Sequence, residues 1–287
     1  MDGPNILTDT TPSIDAIDPT LTHSVITDAW GLFYAQGGVV MAAALRAMTA
    51  VLDRDDFGLV SASATFCRPV ACGPVQTRVD VLHSGRRGAQ VVGSLRDPSA
   101  RAGAVSVAVS AVFCDPGLPG PSVSPLSPPP ELQHPPAADA AFETMGNAFP
   151  LGFLDNTQWQ TATQPDSALP VSSSIEQGAP RLALWFRFKN PPTRPEAPWE
   201  PALLPIPGDA LGSALIVAVG DGKPVGSVSL QIDLQVHAPM TGAWIGIDST
   251  CTHVGNGLAT GVLHLWSDSG VHVATLTQTA MLRSFDE

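Results

Sequence analysis

Three polar residues in the second half of the chain have the types and spacing to hold and activate a water molecule: Asp221, Ser229 and Gln278. Asp221 ends the apolar run Ala214-Leu215-Ile216-Val217-Ala218-Val219-Gly220. With that run helical, the carboxyl sits at the negative end of the helix dipole. Its pKa rises there, as a general base working near neutral pH requires. The alternative is an ordinary turn aspartate in the pair Asp221-Gly222. Asp209 follows Gly208 at the start of the same run, where N-capping of the helix explains it fully. Ser229 lies in a strand-like run, and its hydroxyl either orients a water or satisfies a neighbouring backbone group. Gln278 lies in a strand of small and apolar residues. A buried amide costs stability unless it finds partners, which marks Gln278 as a working residue.

Other chemistries lack their residues. His237, His253 and His264 form neither H-x-x-x-H nor H-E-x-x-H, so no metal site is expected. No G-x-S-x-G occurs, and Gly37-Gly38 belongs to no Walker or Rossmann pattern. The cysteines Cys67, Cys72, Cys114 and Cys251 contain no C-x-x-C pair and read as apolar residues in a reducing compartment. Asp and Glu number 26 against 14 Lys and Arg, for a net charge of −12, which argues against a nucleic-acid partner. Arg68, Arg86, Arg87 and Arg101 read as strand-end and turn charges, or as contacts for a phosphorylated ligand. Hydrophobic residues make up 44% of the 287, enough to bury a full core. The longest apolar stretch, Val39–Leu52, carries Arg46 and is too short to span a bilayer. The N-terminus lacks the charge and apolar pattern of a signal peptide. A soluble cytoplasmic protein is expected.

The elements that must position these residues repeat. Asp115–Ala140 is dominated by proline and reads as an extended linker, dividing residues 1–117 from 141–287 by a linker over 118–140. A second Pro-rich stretch, Asn190–Pro207, reads as a long loop. Pro69 and Pro239 lie 170 apart, Gly73 and Gly242 169, and Ala104 and Ala274 170. In each half an apolar run (Val39–Leu52; Ala210–Val219) precedes strand-like segments separated by Gly-rich turns, Gly85-Arg86-Arg87-Gly88 and Gly255-Asn256-Gly257. A helix apolar on every side must be surrounded, and the remaining elements are strands. The expected α+β fold is therefore one helix wrapped by an antiparallel sheet, twice, with the two halves pairing edge to edge.

That unit is a hotdog fold, and the chain resembles the double-hotdog acyl-CoA thioesterases of the thioesterase II type. The resemblance is carried by Gly37-Gly38-Val39-Val40 and by Phe66-Cys67-Arg68-Pro69-Val70 with Gly73-Pro74-Val75 and Gly85-Arg86. In the second half it is carried by His237-Ala238-Pro239, Gly255-Asn256-Gly257-Leu258 and the ending Val273–Arg283, which contains Gln278. It implies a fatty-acyl-CoA thioester hydrolase needing no metal or bound cofactor, with Asp221, Ser229 and Gln278 around the attacking water and Asp209 as the second choice of base. It implies acyl-CoA as the partner, no nucleic acid or membrane partner, and self-association of exposed sheet edges. The position 170 before Gln278 is Ala108, so one polar site per chain is expected. The rival expectation is an acyl-CoA or acyl-carrier binding protein without turnover.

Overall fold

The computed structural model describes residues 3–99, 103–137, 139–142, 151–162, 180–194, 196–219 and 225–284. Its strands are β1 (Ser13–Ile14), β2 (Leu21–Ile26), β3 (Gly58–Phe66), β4 (Gly73–Ser84), β5 (Gly88–Arg96), β6 (Val107–Cys114), β7 (Thr157–Thr161), β8 (Arg181–Phe188), β9 (Val225–Val236), β10 (Ile245–Gly255), β11 (Leu258–Ser267) and β12 (His272–Ser284). The helices are α1 (Ile6–Asp9), α2 (Gly37–Leu52), α3 (Gly152–Asn156), α4 (Pro205–Gly208) and α5 (Leu211–Val219).

The strands form one antiparallel sheet in the order β1-β2-β4-β5-β6-β3-β9-β12-β11-β10-β8-β7. Adding six to each strand of the first half and reversing the order gives the second half, so the duplication is written into the topology. The two sheets expected from the sequence meet edge to edge and form one continuous sheet. β3 and β9 join them in register, Ser61 opposite Gln235 and Thr65 opposite Gln231. The Gly-rich turns close the hairpins as their chemistry requires. Asn256 and Gly257 both have positive φ, 54° and 75°, the backbone of a two-residue turn that matches strand twist.

Strand side chains alternate between two faces, and one face carries the helices. α2 is rich in Ala, Met and Leu, starts on the Gln36 cap, and ends where Asp53 turns left-handed. Eleven of its residues are buried, as its lack of a polar face demands. It packs against β2, β4, β5, β6 and α4, while α5 packs against β8, β9, β10 and β11. The run Pro201–Val219 reaches the length and hydropathy of a membrane span, but 67% of it is buried inside the protein, as in a core helix.

Two Pro-rich segments are more structured than their composition suggests. Within the second, Pro201–Leu203 and α4 are helical, because proline is tolerated in a first turn whose N–H has no partner. Within the first, Leu132 is buried beside Trp185, Trp244 and Trp266 on the opposite face of the sheet. Glu131 pairs with Arg181, the Trp244 indole donates to Ala137 O at 3.3 Å, and Arg187 donates to Ala140 O and Ala141 O. This stretch straps the outer face of the second half.

Candidate active site

The site begins with a broken helix. In the segment Leu203-Leu204-Pro205-Ile206-Pro207-Gly208-Asp209, neither proline nitrogen can donate to the preceding turn. Helicity stops at Asp209 (φ −85°, ψ 55°) and resumes at Leu211. Gly208 presses the chain onto β12: a Cβ there would lie 2.3 Å from Leu276 Cδ2. Gly38 does the same between the helices, since its Cβ would lie 2.2 Å from Pro205 O. The break therefore delivers the Asp209 carboxyl to the seam between α2, β9 and β12.

Several donors converge on that carboxyl. Oδ1 accepts from Ser229 Oγ at 2.9 Å and Gln278 Nε2 at 2.5 Å. Oδ2 accepts from Gly38 N at 3.1 Å and Gln36 Nε2 at 3.0 Å. Gln278 Nε2 also donates to Ser229 Oγ at 2.8 Å, closing a triangle with Oδ1. The amide orientation of Gln278 is fixed because its Oε1 accepts Leu211 N at 3.1 Å, one of the unpaired N–H groups at the start of α5.

Strand geometry places the other two members. Gln278 is 4% exposed and lies on the inner face with Leu276 and Ala280. Ser229 reaches the same face through a β-bulge: Gln231 opposes Thr279 but Ser229 opposes Ala280, so Leu230 is the extra residue. The first half carries the matching bulge at Val60, opposite the Leu59–Phe113 and Ser61–Val112 pairs. Through that pairing Leu59 is the counterpart of Ser229 and Ala111 that of Gln278. The 170-residue offset had pointed to Ala108, but the bulges and turns shift the true equivalence to Ala111, which is buried on the inner face. Both counterparts are apolar and α2 carries no carboxylate, so among the described residues this polar cluster occurs once.

Burial is the largest influence on Asp209. It raises the carboxyl pKa from 3.8 to about 6, against the opposing hydrogen bonds from Ser229, Gly38, Gln278 and Gly37. The residue still keeps some exposed surface. Ser229 and Gln278 are thus brought together, and their carboxylate partner is Asp209. Asp221 lies outside the described residues. The capping expected of Asp209 takes a different form, since its carboxyl meets the first turn of α2 rather than that of α5. Gln36 was not foreseen: a Gln before Gly-Gly reads as a weak helix cap, and nothing local shows that its amide reaches a carboxyl 173 residues away.

Histidines supply a second cluster, away from the site. His264 Nδ1 and His272 Nε2 lie 3.2 Å apart, and Thr275 Oγ1 contacts His237, His264 and His272. Among the described residues, no group of three or more His, Cys, Asp or Glu is arranged to hold a metal ion. Arg68, Arg86 and Arg87 are exposed, and Arg101 lies outside the described residues. Two open surface concavities, of about 510 and 320 Å³, are lined by residues near Arg86–Arg87 and near His23 and Gln76, not by the Asp209 cluster.

Comparison with known proteins gives this geometry a family. Residues 127–282 match the acyl-CoA thioesterase C-terminal domain and residues 26–121 the acyl-CoA thioesterase N-terminal domain. No curated protein matches the sequence. Among solved structures, a conserved protein with a hot dog fold from Alicyclobacillus acidocaldarius is 17% identical, with a TM-score of 0.76 over 97% of this chain and 98% of that one. An acyl-CoA thioesterase II from Mycobacterium marinum is also 17% identical, with a TM-score of 0.67 over 98% and 99%. These likenesses establish a hotdog architecture. With both halves matched in chain order over most of its length, the chain belongs to the acyl-CoA thioesterase family and is a thioester hydrolase.

Proposed function

We propose that the protein hydrolyses a fatty-acyl-CoA thioester to the free acid and coenzyme A, using water activated by Asp209. The observation that carries this reading is the buried Asp209 carboxyl facing the first turn of α2, with Ser229 and Gln278 at one of its oxygens. Near neutral pH a carboxyl with a pKa of about 6 is mostly ionised and is more basic than an ordinary one. A water held at Oδ1 by Ser229 and Gln278 gives a proton to Asp209 while its oxygen bonds to the thioester carbon. The carbonyl electrons move onto oxygen, where an N–H of the first turn of α2 stabilises them in the field of the helix N-terminus. Collapse of the intermediate breaks the C–S bond, and the departing thiolate takes the proton. No covalent acyl-enzyme and no metal enters the scheme.

The same reading divides the chain into two hotdog units, residues 1–117 and 141–287, with α2 and the Pro201–Val219 helix as the elements their sheets enclose. It also places the protein in the cytoplasm, with self-association through sheet edges. The test is free-thiol release from a panel of acyl-CoAs of graded chain length, run beside binding of a non-hydrolysable acyl-CoA analogue. Thiol release with a chain-length optimum is expected. Analogue binding with no thiol release from any member would replace the hydrolase mechanism by the binding-protein reading.

A further inference from the structure

Gln36 spends a buried side chain on two tasks that only a long amide performs together. It is 4% exposed. Its Oε1 accepts Val39 N at 2.8 Å and caps α2. Its Nε2 donates to Asp209 Oδ2 at 3.0 Å and points to Ile206 O at 3.4 Å. The backbone is pinned on both sides of the turn, with Gln36 N donating to Trp30 O and Ala35 N to Val70 O. A cap alone needs only an acceptor, which Ser, Asp or Asn supplies better. An amide long enough to accept at one end and donate at the other is required only when the carboxylate must be held too. With Oε1 held by the Val39 N–H, the NH₂ end faces Asp209 Oδ2 and Ile206 O.

We propose that Gln36 is a positioning residue for the hydrolysis, holding Asp209 Oδ2 against α2 so that Oδ1 is the oxygen that takes the proton. The inference rests on the Asp209 reading above. In that reading the thioester oxygen draws the Gly38 N–H away from Oδ2, and Gln36 is the side-chain donor that remains there. Without it the carboxyl is free to turn, and its ionised form loses a charge-assisted hydrogen bond. The first half of the chain would then supply more than a helix terminus: it would set which oxygen of a second-half carboxylate acts.

The experiment compares kcat/KM against pH for wild type, Gln36→Ser and Gln36→Glu. Ser keeps a cap and removes the donor; Glu keeps the acceptor for Val39 and sets a second carboxyl beside Asp209. Both should lower kcat/KM at pH 7 by about 2- to 10-fold and move the acid limb up by about one to two pH units, with activity recovering at higher pH. An acid limb unmoved in whichever variant folds, with activity or melting temperature merely lowered at every pH, would reduce Gln36 to a cap and overturn the proposal. Asp209→Asn, measured alongside, separates the two failures. Full turnover in that variant removes the Asp209 reading itself. Loss of turnover there, with unmoved limbs in the Gln36 variants, removes only the proposal made for Gln36.

Discussion

Replacing Asp209 with asparagine should change how stability depends on pH, and the sign follows from the direction of the pKa shift. In the folded protein the carboxyl titrates at about 6, against 3.8 unperturbed. Below about pH 3.8 both folded and unfolded chains carry the proton, and the residue contributes no pH dependence. Between the two values the folded chain keeps a proton that the unfolded chain releases, so stability falls as pH rises. Above about pH 6 the loss is complete and amounts to about 3 kcal/mol. Asparagine does not ionise and escapes this loss. Its amide will meet donors where the carboxylate accepted, at a cost of about 1–3 kcal/mol, but that cost is the same at every pH. The quantity to follow is therefore the difference in unfolding free energy between variant and wild type, from urea titrations at intervals from pH 3.5 to 7.5. It should shift in favour of Asp209→Asn by about 3 kcal/mol across the window, while the other titrating groups cancel. A flat difference would mean that the hydrogen bonds to the carboxyl fully offset the burial of the charge. A difference moving the other way would mean that they overcompensate, and the case for a raised pKa would fall.

Three further outcomes follow from the same contacts. Gly38→Ala places a methyl 2.2 Å from Pro205 O, a backbone atom with nowhere to go, so the variant should lose at least about 2 kcal/mol and most of its turnover; wild-type melting and rates would show that α2 and α4 are not in close contact. Ser229→Ala removes one of two donors at Asp209 Oδ1 and should lower kcat less than Asp209→Asn does, by about 10-fold, with the acid limb of the rate profile moved upward. An unmoved limb would take Ser229 out of contact with the base. Leu132→Ala opens a cavity beneath the outer strap and should cost about 2–5 kcal/mol in urea unfolding with kcat/KM unchanged; an unchanged midpoint would mean that the strap is not docked there.

The sequence carried the duplication and the two apolar helices because both rest on local patterns: α2 begins at Gly37, two residues before the expected run, and α5 at Leu211, one residue inside it. Gln278 was legible because a buried amide in a strand of small and apolar residues has a cost that demands a use. The carboxylate was harder to read. Asp209 follows a glycine and precedes an apolar run, the pattern of a capping residue, and Pro205 and Pro207 suggested a loop where a short helix forms. The break those prolines create frees the Asp209 side chain from its own helix, and its partners Gly38 and Gln36 are about 170 residues away in sequence. The bulge at Leu230 is equally invisible to a period-two reading, which sends Ser229 to the opposite face from Ile232 and Leu234. The halves meet edge to edge as the repeat suggests, but that β3 and β9 are the strands that join depends on two edges meeting and is not legible in either strand alone.

Asp209 as the base is decided by setting Asp209→Asn beside Asp221→Asn in one thiol-release assay, at saturating acyl-CoA and neutral pH. Asp209→Asn should lower kcat by about 10²- to 10⁴-fold while an acyl-CoA analogue still binds, and Asp221→Asn should stay near wild type. Wild-type turnover in Asp209→Asn would contradict that assignment, most pointedly if Asp221→Asn were the variant that failed.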